Sequence, residues 1–238
     1  MSRRTLIRPG RRATLSAEQL TIAWQSASLL LDYPTEEMLG HVALVRSASR
    51  ALPEHVGDPL RRFTDHAERN LLPDLQADYV ETFDTRRRCN LFLTYFAHGD
   101  TRKRGMALLR FKQAYLAAGF AVTDEELPDH LCVVLEFAAT GDQATGRQLM
   151  LDHRAGLELL RMSLRDLGSP WAGVVEAVTG TLPPLRGDEV DAVRRLAAEG
   201  PPEEEVGLTP YATPGFDPGP AVPGSPIPLP MPSFPGAR

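Results

Sequence analysis

The amino-acid sequence predicts an all-α protein, a compact single-domain helical bundle followed by a disordered, proline-rich C-terminal tail. Apolar residues recur every three or four positions between about residues 16 and 199, as they do along one face of a helix. The alternation of apolar and polar residues that indicates β-strands is not found. Repeat periods typical of helical solenoids are also not found, which favours a bundle over a repeat array.

The first predicted helix begins at a capping box, in which Ser16 is followed three residues later by Gln19. Its apolar stripe consists of Leu20, Ala23, Trp24, Ala27, Leu30 and Leu31. Pro34 ends this helix, because the residue before a proline avoids the helical region. Thr35 then caps a second helix, whose inward positions are Met38, Val42 and Val45.

Further helices follow along the chain. One starts at Pro73, with Leu72, Leu75, Tyr79 and Phe83 facing a core. Another covers about residues 101 to 118 and ends at Gly119, with an inward stripe of Leu108, Leu109, Phe111, Tyr115 and Leu116. Pro128 opens the next, which turns Leu131, Val134, Leu135 and Ala138 inward. Later helical patterns cover about residues 143–167, 170–178 and 188–199.

The composition changes near Gly200, after which prolines crowd the sequence and large apolar groups are few. Such a segment lacks the amide donors and apolar surface that a packed domain needs. We therefore expect three regions: a basic flexible N-terminus (1–15), an all-helical domain (16–199) and a disordered Pro/Gly-rich tail (200–238). The tail is interpreted as a spacer. It could instead be a ligand for a proline-recognising module, or occupy a groove of its own chain.

Composition and charge exclude several classes of protein. The net charge of −5 gives no general attraction to nucleic acid or to an anionic membrane. Cys89 and Cys132 are the two cysteines, and no Cys-x-x-Cys spacing suggests a zinc site or a disulfide framework. No window has the length of uninterrupted apolar sequence that a membrane span needs, and the paired arginines near the N-terminus lack the apolar run of an export signal. A cytoplasmic protein without direct membrane insertion is expected.

Catalysis has no positive signal in this sequence. The six histidines include no His-x-x-x-His pair, and Asp65-His66, Asp129-His130 and Asp152-His153 reverse the His-Asp order of helical metal-dependent phosphohydrolases. Phosphate-binding loops, nucleophile elbows and dinucleotide fingerprints are missing from the sequence. We predict that the protein is not an enzyme and uses no catalytic residue or metal. The rival hypothesis is a helical metal-dependent hydrolase or nucleotide-binding enzyme.

Two charged clusters are candidates for binding. The basic runs Arg86-Arg87-Arg88 and Arg102-Lys103-Arg104 flank an apolar and aromatic stretch at residues 91–96. Such a combination can hold an anionic partner, a phosphate-bearing cofactor or a peptide of mixed apolar and acidic character. The second cluster, residues 125–131, places acidic side chains at a helix start. Asp129, Val133 and Glu136 then share a helical face, with His130 beside them as a neutral hydrogen-bonding group.

Three blocks in the chain resemble the NarJ-type chaperones of respiratory nitrate reductase, within the TorD-like group of redox-enzyme maturation proteins. The similarity covers about residues 17 to 180. The blocks are Tyr79-Val80-Glu81-Thr82-Phe83-Asp84, His98-Gly99-Asp100-Thr101-Arg102-Lys103-Arg104-Gly105, and Glu126-Leu127-Pro128-Asp129-His130-Leu131 with Leu135-Glu136-Phe137.

The resemblance implies a TorD-like bundle that binds the immature catalytic (alpha) subunit of nitrate reductase through a short N-terminal segment. Molybdopterin guanine dinucleotide would be the cofactor of that client, with none bound permanently by this chain. The chaperone would support cofactor insertion and then leave the complex. Another molybdoenzyme as client is the alternative. The implied binding surface consists of Tyr79, Phe83, His98, Asp100, Arg102, Arg104, Asp129, His130 and Glu136, of which Tyr79 and Phe83 also suit core packing.

Overall fold

A computed structural model describes residues 14–121 and 126–202 of the chain. All regular structure in these residues is helical, apart from one isolated bridge between Phe92 and His130, so the predicted all-α class is confirmed. None of their helices has the length and apolar character needed to cross a membrane. The α-helices are α1 (Ala17–Leu31), α2 (Glu36–Ala48), α3 (Glu54–Arg69), α4 (Leu72–Tyr79), α5 (Tyr95–His98), α6 (Arg102–Ala117), α7 (Leu131–Thr140), α8 (Gln143–Asp152), α9 (Arg154–Asp166), α10 (Ala172–Thr181) and α11 (Asp188–Glu199).

Helix α1 lies at the centre of the bundle, where it packs against α7, α10 and α2. It begins as the sequence predicts: Ser16 Oγ accepts from Gln19 N–H, and the Gln19 side chain accepts from Ser16 N–H, each at 3.1 Å. Its C-terminal end accepts two side-chain hydrogen bonds. Trp171 Nε1 donates to Leu30 O at 3.1 Å and Tyr79 Oη donates to Leu31 O at 3.0 Å. These bonds satisfy the last carbonyls of the helix, which have no partner within it.

Two tryptophans fill the core on either side of α1, and both are completely buried. Trp24 Nε1 donates to Thr181 Oγ at 2.9 Å, which ties α1 to the end of α10. Trp171 lies within 5.6 Å, centroid to centroid, of the rings of Phe63, Tyr79 and Phe83. Because buried indole N–H groups need an acceptor, these bonds also fix how the rings are oriented.

Helix α3 was not expected from the sequence, and it contains Pro59 in its interior. An interior proline removes one helical hydrogen bond, so the sequence around Pro59 does not predict a continuous helix. Tertiary packing compensates, since α10 lies directly on this part of α3. A Cβ added to Gly173 of α10 would be 2.8 Å from Pro59 O, so the two backbones approach closely at a glycine.

Several predicted boundaries and faces differ in the structure. The pattern at residues 143–167 forms two helices, α8 and α9, which are separated at His153. Helix α7 begins at Leu131, so Pro128 and Asp129 lie before it. The inward stripe of α6 was partly wrong, because Leu109 and Leu116 are 44% and 63% exposed. The buried positions of α6 are instead Ala107, Phe111 and Tyr115.

A π-helical turn, Val80–Asp84, continues α4, and residues 85–101, called the connecting segment below, lead from it to α6 and include the short helix α5. A pair of backbone hydrogen bonds holds it to the start of α7: Leu93 N–H donates to Asp129 O at 3.0 Å, and Leu131 N–H donates to Leu91 O at 2.9 Å. Three of its own apolar residues, Leu91, Leu93 and Phe96, are buried in the core. The segment is therefore an ordered part of the core.

Residues 1–13, 122–125 and 203–238 lie outside the described part of the chain. The predicted flexible N-terminus and the predicted disordered tail consist largely of these residues. Glu125 of the acidic cluster is also one of them. The described chain ends against the bundle, with Pro201 buried and Arg87 Nη2 donating to Pro202 O at 2.7 Å.

Candidate functional site

Two neighbouring depressions lie on either side of the outer face of α7. The acidic section lies between α1 and α7, and the aromatic section lies between α7 and the end of α6. Val133, Glu136 and Glu126 line both sections. The α1 side of the acidic section contributes outward residues of a single helical face, Gln25, Leu29 and Asp32. We call the two sections together the α1–α7 groove.

The acidic section encloses about 120 Å³ and holds three carboxyl groups around one histidine. Asp32 follows the last residue of α1, Glu136 lies on α7, and Glu126 lies in the segment before α7. All three residues are exposed, so their charges face solvent and any bound partner. Burial lowers the pKa of His130, while the nearby carboxylates of Asp32 and Asp129 act in the opposite direction. The section is therefore negatively charged at neutral pH.

The aromatic section encloses about 260 Å³ and is lined by Tyr115, Phe120 and Phe137. The Phe137 ring lies 4.5 Å from that of Tyr115 and 5.8 Å from that of Phe120, centroid to centroid. Tyr115 Oη donates to Pro128 O at 2.6 Å, and burial raises the pKa of this phenol. Tyr115 and Phe137 are buried, whereas Phe120 is 42% exposed and offers its ring to a partner.

A third depression of about 270 Å³ lies on the other side of Glu126, between α6 and the segment before α7. Its lining is mostly apolar and consists of Gly105, Leu108, Leu109, Lys112, Glu126, Leu127 and Pro128. Its lining takes Gly105 from the second sequence block and Glu126, Leu127 and Pro128 from the third.

Beside the groove, a polar cluster centred on the buried Asp129 fixes the connecting segment to the start of α7. We call Thr94, Asp100, Arg104 and Asp129 the Asp129 cluster. Asp129 is completely buried, and its Oδ2 accepts from Thr94 N–H at 3.1 Å and from Thr94 Oγ at 2.5 Å. Arg104 donates to Thr94 Oγ at 3.2 Å and to Asp100 Oδ1 at 2.8 Å.

The remaining atoms of this cluster are less well satisfied. Arg104 Nη2 lies 3.7 Å from Asp129 Oδ2, and neither Nη2 nor Asp129 Oδ1 has a hydrogen-bond partner among the described residues. The guanidinium also lies over the Phe92 ring, 5.2 Å from its centroid, and that ring contacts His130 at 5.0 Å. The cluster thus connects Arg104 to the histidine of the groove through one aromatic side chain.

The predicted binding residues separate into three groups. Tyr79 and Phe83 pack in the core, 4.6 Å apart between ring centroids, and do not reach the groove. Asp100, Arg104 and Asp129 come together in the Asp129 cluster, where Asp129 is out of reach of solvent.

The third group lies on the surface. His130 and Glu136 line the α1–α7 groove, whereas Arg102 is exposed at the start of α6 and His98 is partly buried nearby. Burial lowers the pKa of His98, and His153, Lys103 and Arg110 lower it further. Asp129 does not cap α7, because no side-chain bond caps that helix.

Sequence reasoning missed four residues of the groove, namely Gln25, Leu29, Asp32 and Phe120. The first three lie on the outer side of α1, and a single leucine among polar residues on a helix surface does not by itself indicate a binding site. Among the described residues, no group of three His, Cys, Asp or Glu side chains is arranged to hold a metal ion. The groove therefore offers apolar contacts and negative charge to a partner.

Comparisons with known proteins identify relatives over most of the helical region. The family model described as nitrate reductase delta subunit matches residues 49–176. Nitrate reductase-like protein NarX from Mycobacterium tuberculosis is 38% identical over 170 residues, which make up 70% of this chain and 25% of NarX. This chain thus spans about a quarter of the length of NarX.

A second relative is matched over most of its length. Probable nitrate reductase molybdenum cofactor assembly chaperone NarJ from Bacillus subtilis is 30% identical over 165 residues, covering 68% of this chain and 88% of that protein. Among solved structures, a putative redox enzyme maturation protein from Archaeoglobus fulgidus aligns with a TM-score of 0.49 and 22% identity. That alignment covers 75% of this chain and 97% of the other.

Proposed function

Since the chain belongs to the nitrate reductase delta subunit family, we propose that it is an assembly chaperone for a respiratory nitrate reductase. The Bacillus subtilis relative is named as a molybdenum cofactor assembly chaperone, which supports this role. The proposed client is the immature catalytic subunit, bound in the cytoplasm through its N-terminal segment. The chaperone keeps the client competent to receive molybdopterin guanine dinucleotide, catalyses no reaction and leaves the finished complex.

The α1–α7 groove is the observation that carries the proposal. Its aromatic section can take one or two large apolar side chains, and its acidic section can take a cation. An amphipathic helix presents such side chains at positions i, i+3 or i+4, and i+7 along one face. We therefore propose that the client segment is helical when bound, with apolar anchors over Phe120, Val133 and Phe137 and a lysine or arginine beside Glu136.

The charges of the groove favour a peptide over the cofactor as the bound group. Molybdopterin guanine dinucleotide carries phosphates, and the carboxylates of Asp32, Glu126 and Glu136 would repel them at the distances of direct contact. A cationic side chain is attracted by the same groups. On this basis the cofactor remains a ligand of the client, while this chain binds the polypeptide.

Most of the affinity is expected from the apolar anchors, because exposed ion pairs contribute little in water. The three carboxylates at the rim instead fix the register of the segment and raise the association rate. Added salt should therefore slow association while leaving much of the affinity intact.

Titration calorimetry of the full chain against the N-terminal peptide of the catalytic subunit from the same genome tests the proposal. A scrambled peptide of the same composition is the control. We expect saturable binding of the native peptide alone. A folded protein that binds neither peptide would contradict the proposed client segment, and a helical hydrolase or nucleotide-binding activity would then be assayed.

Substitutions in the groove test where the peptide binds. Val133→Ser removes apolar surface shared by both sections and should weaken binding roughly five- to tenfold. Glu136→Gln removes one rim charge and should weaken it roughly two- to fivefold. Matched controls on α2 are Leu44→Ser, where the leucine is 65% exposed, and Glu37→Gln, where the glutamate is exposed. Equal effects of groove and control substitutions would exclude this groove as the binding site.

A further inference from the structure

Helix α6 exposes large apolar side chains on the face opposite its core contacts. Its core contacts are made by Ala107, Phe111 and Tyr115, which are buried. The opposite face continues past the end of the helix, and we call its large apolar residues the outer stripe: Met106 (68% exposed), Leu109 (44%), Leu116 (63%) and Phe120 (42%). Soluble proteins seldom leave a row of this kind open to water, so the outer stripe indicates a surface that meets a partner.

Exposed cations lie on both sides of the outer stripe. At about 100° per residue, Lys103 and Arg110 fall on one flank of the helix and Lys112 falls on the other. Arg102 lies on the outer face itself, at its N-terminal end. All four side chains are exposed. The outer face of α6 is therefore an apolar centre with positive charge around it.

The helix contains no acidic residue that could balance these charges. Its fifth cation, Arg104, is the one that donates to Asp100 in the Asp129 cluster. The net charge of −5 gives the chain no general attraction to an anionic surface, but screening limits each charge to a range of about 8 Å at physiological salt. At close range the positive charge of α6 therefore outweighs the negative charge on distant parts of the molecule.

The shape and the sign of this surface distinguish between possible partners. A second copy, with α6 packed against α6, would bring two sets of cations together, which disfavours a dimer through the outer stripe. Met106 and Leu116 are its most exposed members, and they line none of the three depressions described above. The stripe is thus a ridge, whereas a helical peptide needs a groove. An apolar ridge between cations fits the surface of an anionic lipid bilayer.

We propose that the outer face of α6 binds the surface of an anionic lipid bilayer, with the helix parallel to the membrane plane. The outer stripe lies at the boundary between headgroups and acyl chains, and the flanking cations lie at the level of the lipid phosphates. Lysine and arginine suit that position, because their methylene stems cover apolar surface while their charged ends remain in water. Such binding needs one apolar helical face and no membrane span.

The lipid-binding face adjoins the proposed client site but differs from it in charge. Phe120 belongs to both the outer stripe and the aromatic section of the α1–α7 groove. The carboxylates of the acidic section are repelled by anionic headgroups, so that section stays in water and open to a client. The proposal goes beyond the chaperone function and does not depend on which client the chain binds.

Co-sedimentation of the full chain with vesicles tests the proposal without a client. One set of vesicles contains equal amounts of phosphatidylglycerol and phosphatidylcholine, and the other contains phosphatidylcholine alone. We expect the chain to sediment with the anionic vesicles at low salt and to remain in solution with the neutral ones. High salt should weaken the binding, because it screens the attraction between cations and headgroups.

A fluorophore identifies the face that meets the lipid. Cys89 and Cys132 are 1% and 9% exposed, so a cysteine introduced by Met106→Cys can be labelled selectively with an environment-sensitive dye. Its emission should shift to shorter wavelength when anionic vesicles are added, because the dye enters a less polar environment. The same dye at Leu44→Cys, on the exposed face of α2, should keep its emission unchanged.

One pair of variants tests the apolar contribution to binding. Leu109→Ser with Leu116→Ser should lower the vesicle partition coefficient about tenfold or more, since both leucines lose their apolar contact with lipid. The matched control is Leu44→Ser with Leu71→Ser, because those leucines are 65% and 72% exposed on other elements. The control should bind vesicles as the unchanged chain does.

A second pair of variants tests the charges. Lys103→Gln with Arg110→Gln should lower the partition coefficient about tenfold, because each cation near an anionic surface contributes to binding. Arg50→Gln with Arg195→Gln is the matched control, since it removes the same charge from exposed positions outside α6. Buried tryptophan emission verifies that every variant is folded.

Binding to anionic vesicles that both α6 variants weaken and both controls retain, with the emission shift at residue 106, supports the proposal. A folded chain that stays in solution with anionic vesicles would overturn it and direct the search to an acidic protein surface. Equal losses in the α6 and control variants would also overturn it, because the attraction would then lie elsewhere. A dimer in sedimentation velocity that Leu109→Ser with Leu116→Ser dissociates would assign the outer stripe to a second copy.

Discussion

Removing the Asp129 carboxylate should strongly destabilise the bundle. This side chain is completely buried and accepts two hydrogen bonds from Thr94, with the Arg104 guanidinium 3.7 Å away. Asp129→Ala leaves the Thr94 N–H without its acceptor and Arg104 without its buried counter-charge. The connecting segment then loses its side-chain attachment to the start of α7, although the two backbone bonds between them remain.

The expected magnitude follows from these contacts. Hydrogen bonds to a charged group contribute about 1.5 to 3 kcal/mol each, and the recovered desolvation of the carboxylate offsets part of that sum. We expect Asp129→Ala to lower the free energy of unfolding by about 3 to 4 kcal/mol. Asp129→Asn keeps an oxygen that can accept both Thr94 bonds and loses only the charge, so its effect should be about 1 to 2 kcal/mol.

Urea denaturation at pH 7, followed by circular dichroism, measures both values. Asp74→Ala is the control, because Asp74 is exposed in α4, and its effect should stay within about 0.5 kcal/mol. Combining Asp129→Ala with Arg104→Met should cost less than the sum of the two single changes, since neither partner is then left alone. A loss below about 1 kcal/mol for Asp129→Ala would refute the structural role of the cluster. Equal losses for the alanine and asparagine variants would show that charge, and not the bonds to Thr94, is decisive.

Other predictions concern pH and packing. Burial lowers the pKa of His130 below its ordinary value of 6.5, so below pH 6.5 the unfolded chain binds more protons than the folded chain. The contribution of His130 to the free energy of unfolding should therefore be complete above pH 6.5 and decline below it. Urea titrations at pH 7.5, 6.5 and 5.5 should show a weaker pH dependence for His130→Gln than for the unchanged chain. Gly156→Ala places a Cβ 2.6 Å from the Phe96 ring and should lower the free energy of unfolding by about 1 to 3 kcal/mol. Gly40→Ala, whose new Cβ has no atom within 4 Å, should instead raise it by about 0.5 to 1 kcal/mol. Similar changes in thermal unfolding for the two variants would contradict this packing.

The local signals in the sequence predicted most helices because they act over a few residues. The Ser16 capping box, the break at Pro34 and the Thr35 cap are all present in the structure. Helix α3 was missed because Pro59 weakens its local pattern, whereas packing against α10 and α2 stabilises the helix in the fold. For α6, apolar residues occupy two opposite faces, so spacing alone cannot show which of them is turned inward.

The candidate site was less accessible to sequence reasoning, since it depends on contacts between distant parts of the chain. Asp129 and Glu136 were expected on one helical face, but α7 starts after Asp129, which instead turns inward to Thr94. Asp32 contributes to the acidic section because α1 ends next to α7, and no local pattern around Asp32 reveals that. His130 and Glu136 line the same depression, and their role in binding a client stays a prediction.

The position of the two tryptophans has a practical consequence for every experiment on this chain. Trp24 and Trp171 are the only tryptophans in the sequence, both are completely buried in the core around α1, and neither lines the groove. Their emission therefore reports the integrity of the bundle, and a blue-shifted spectrum certifies a folded sample. A fluorophore placed on a client peptide can then report occupancy of the groove, so folding and binding can be followed in one cuvette by two separate optical signals.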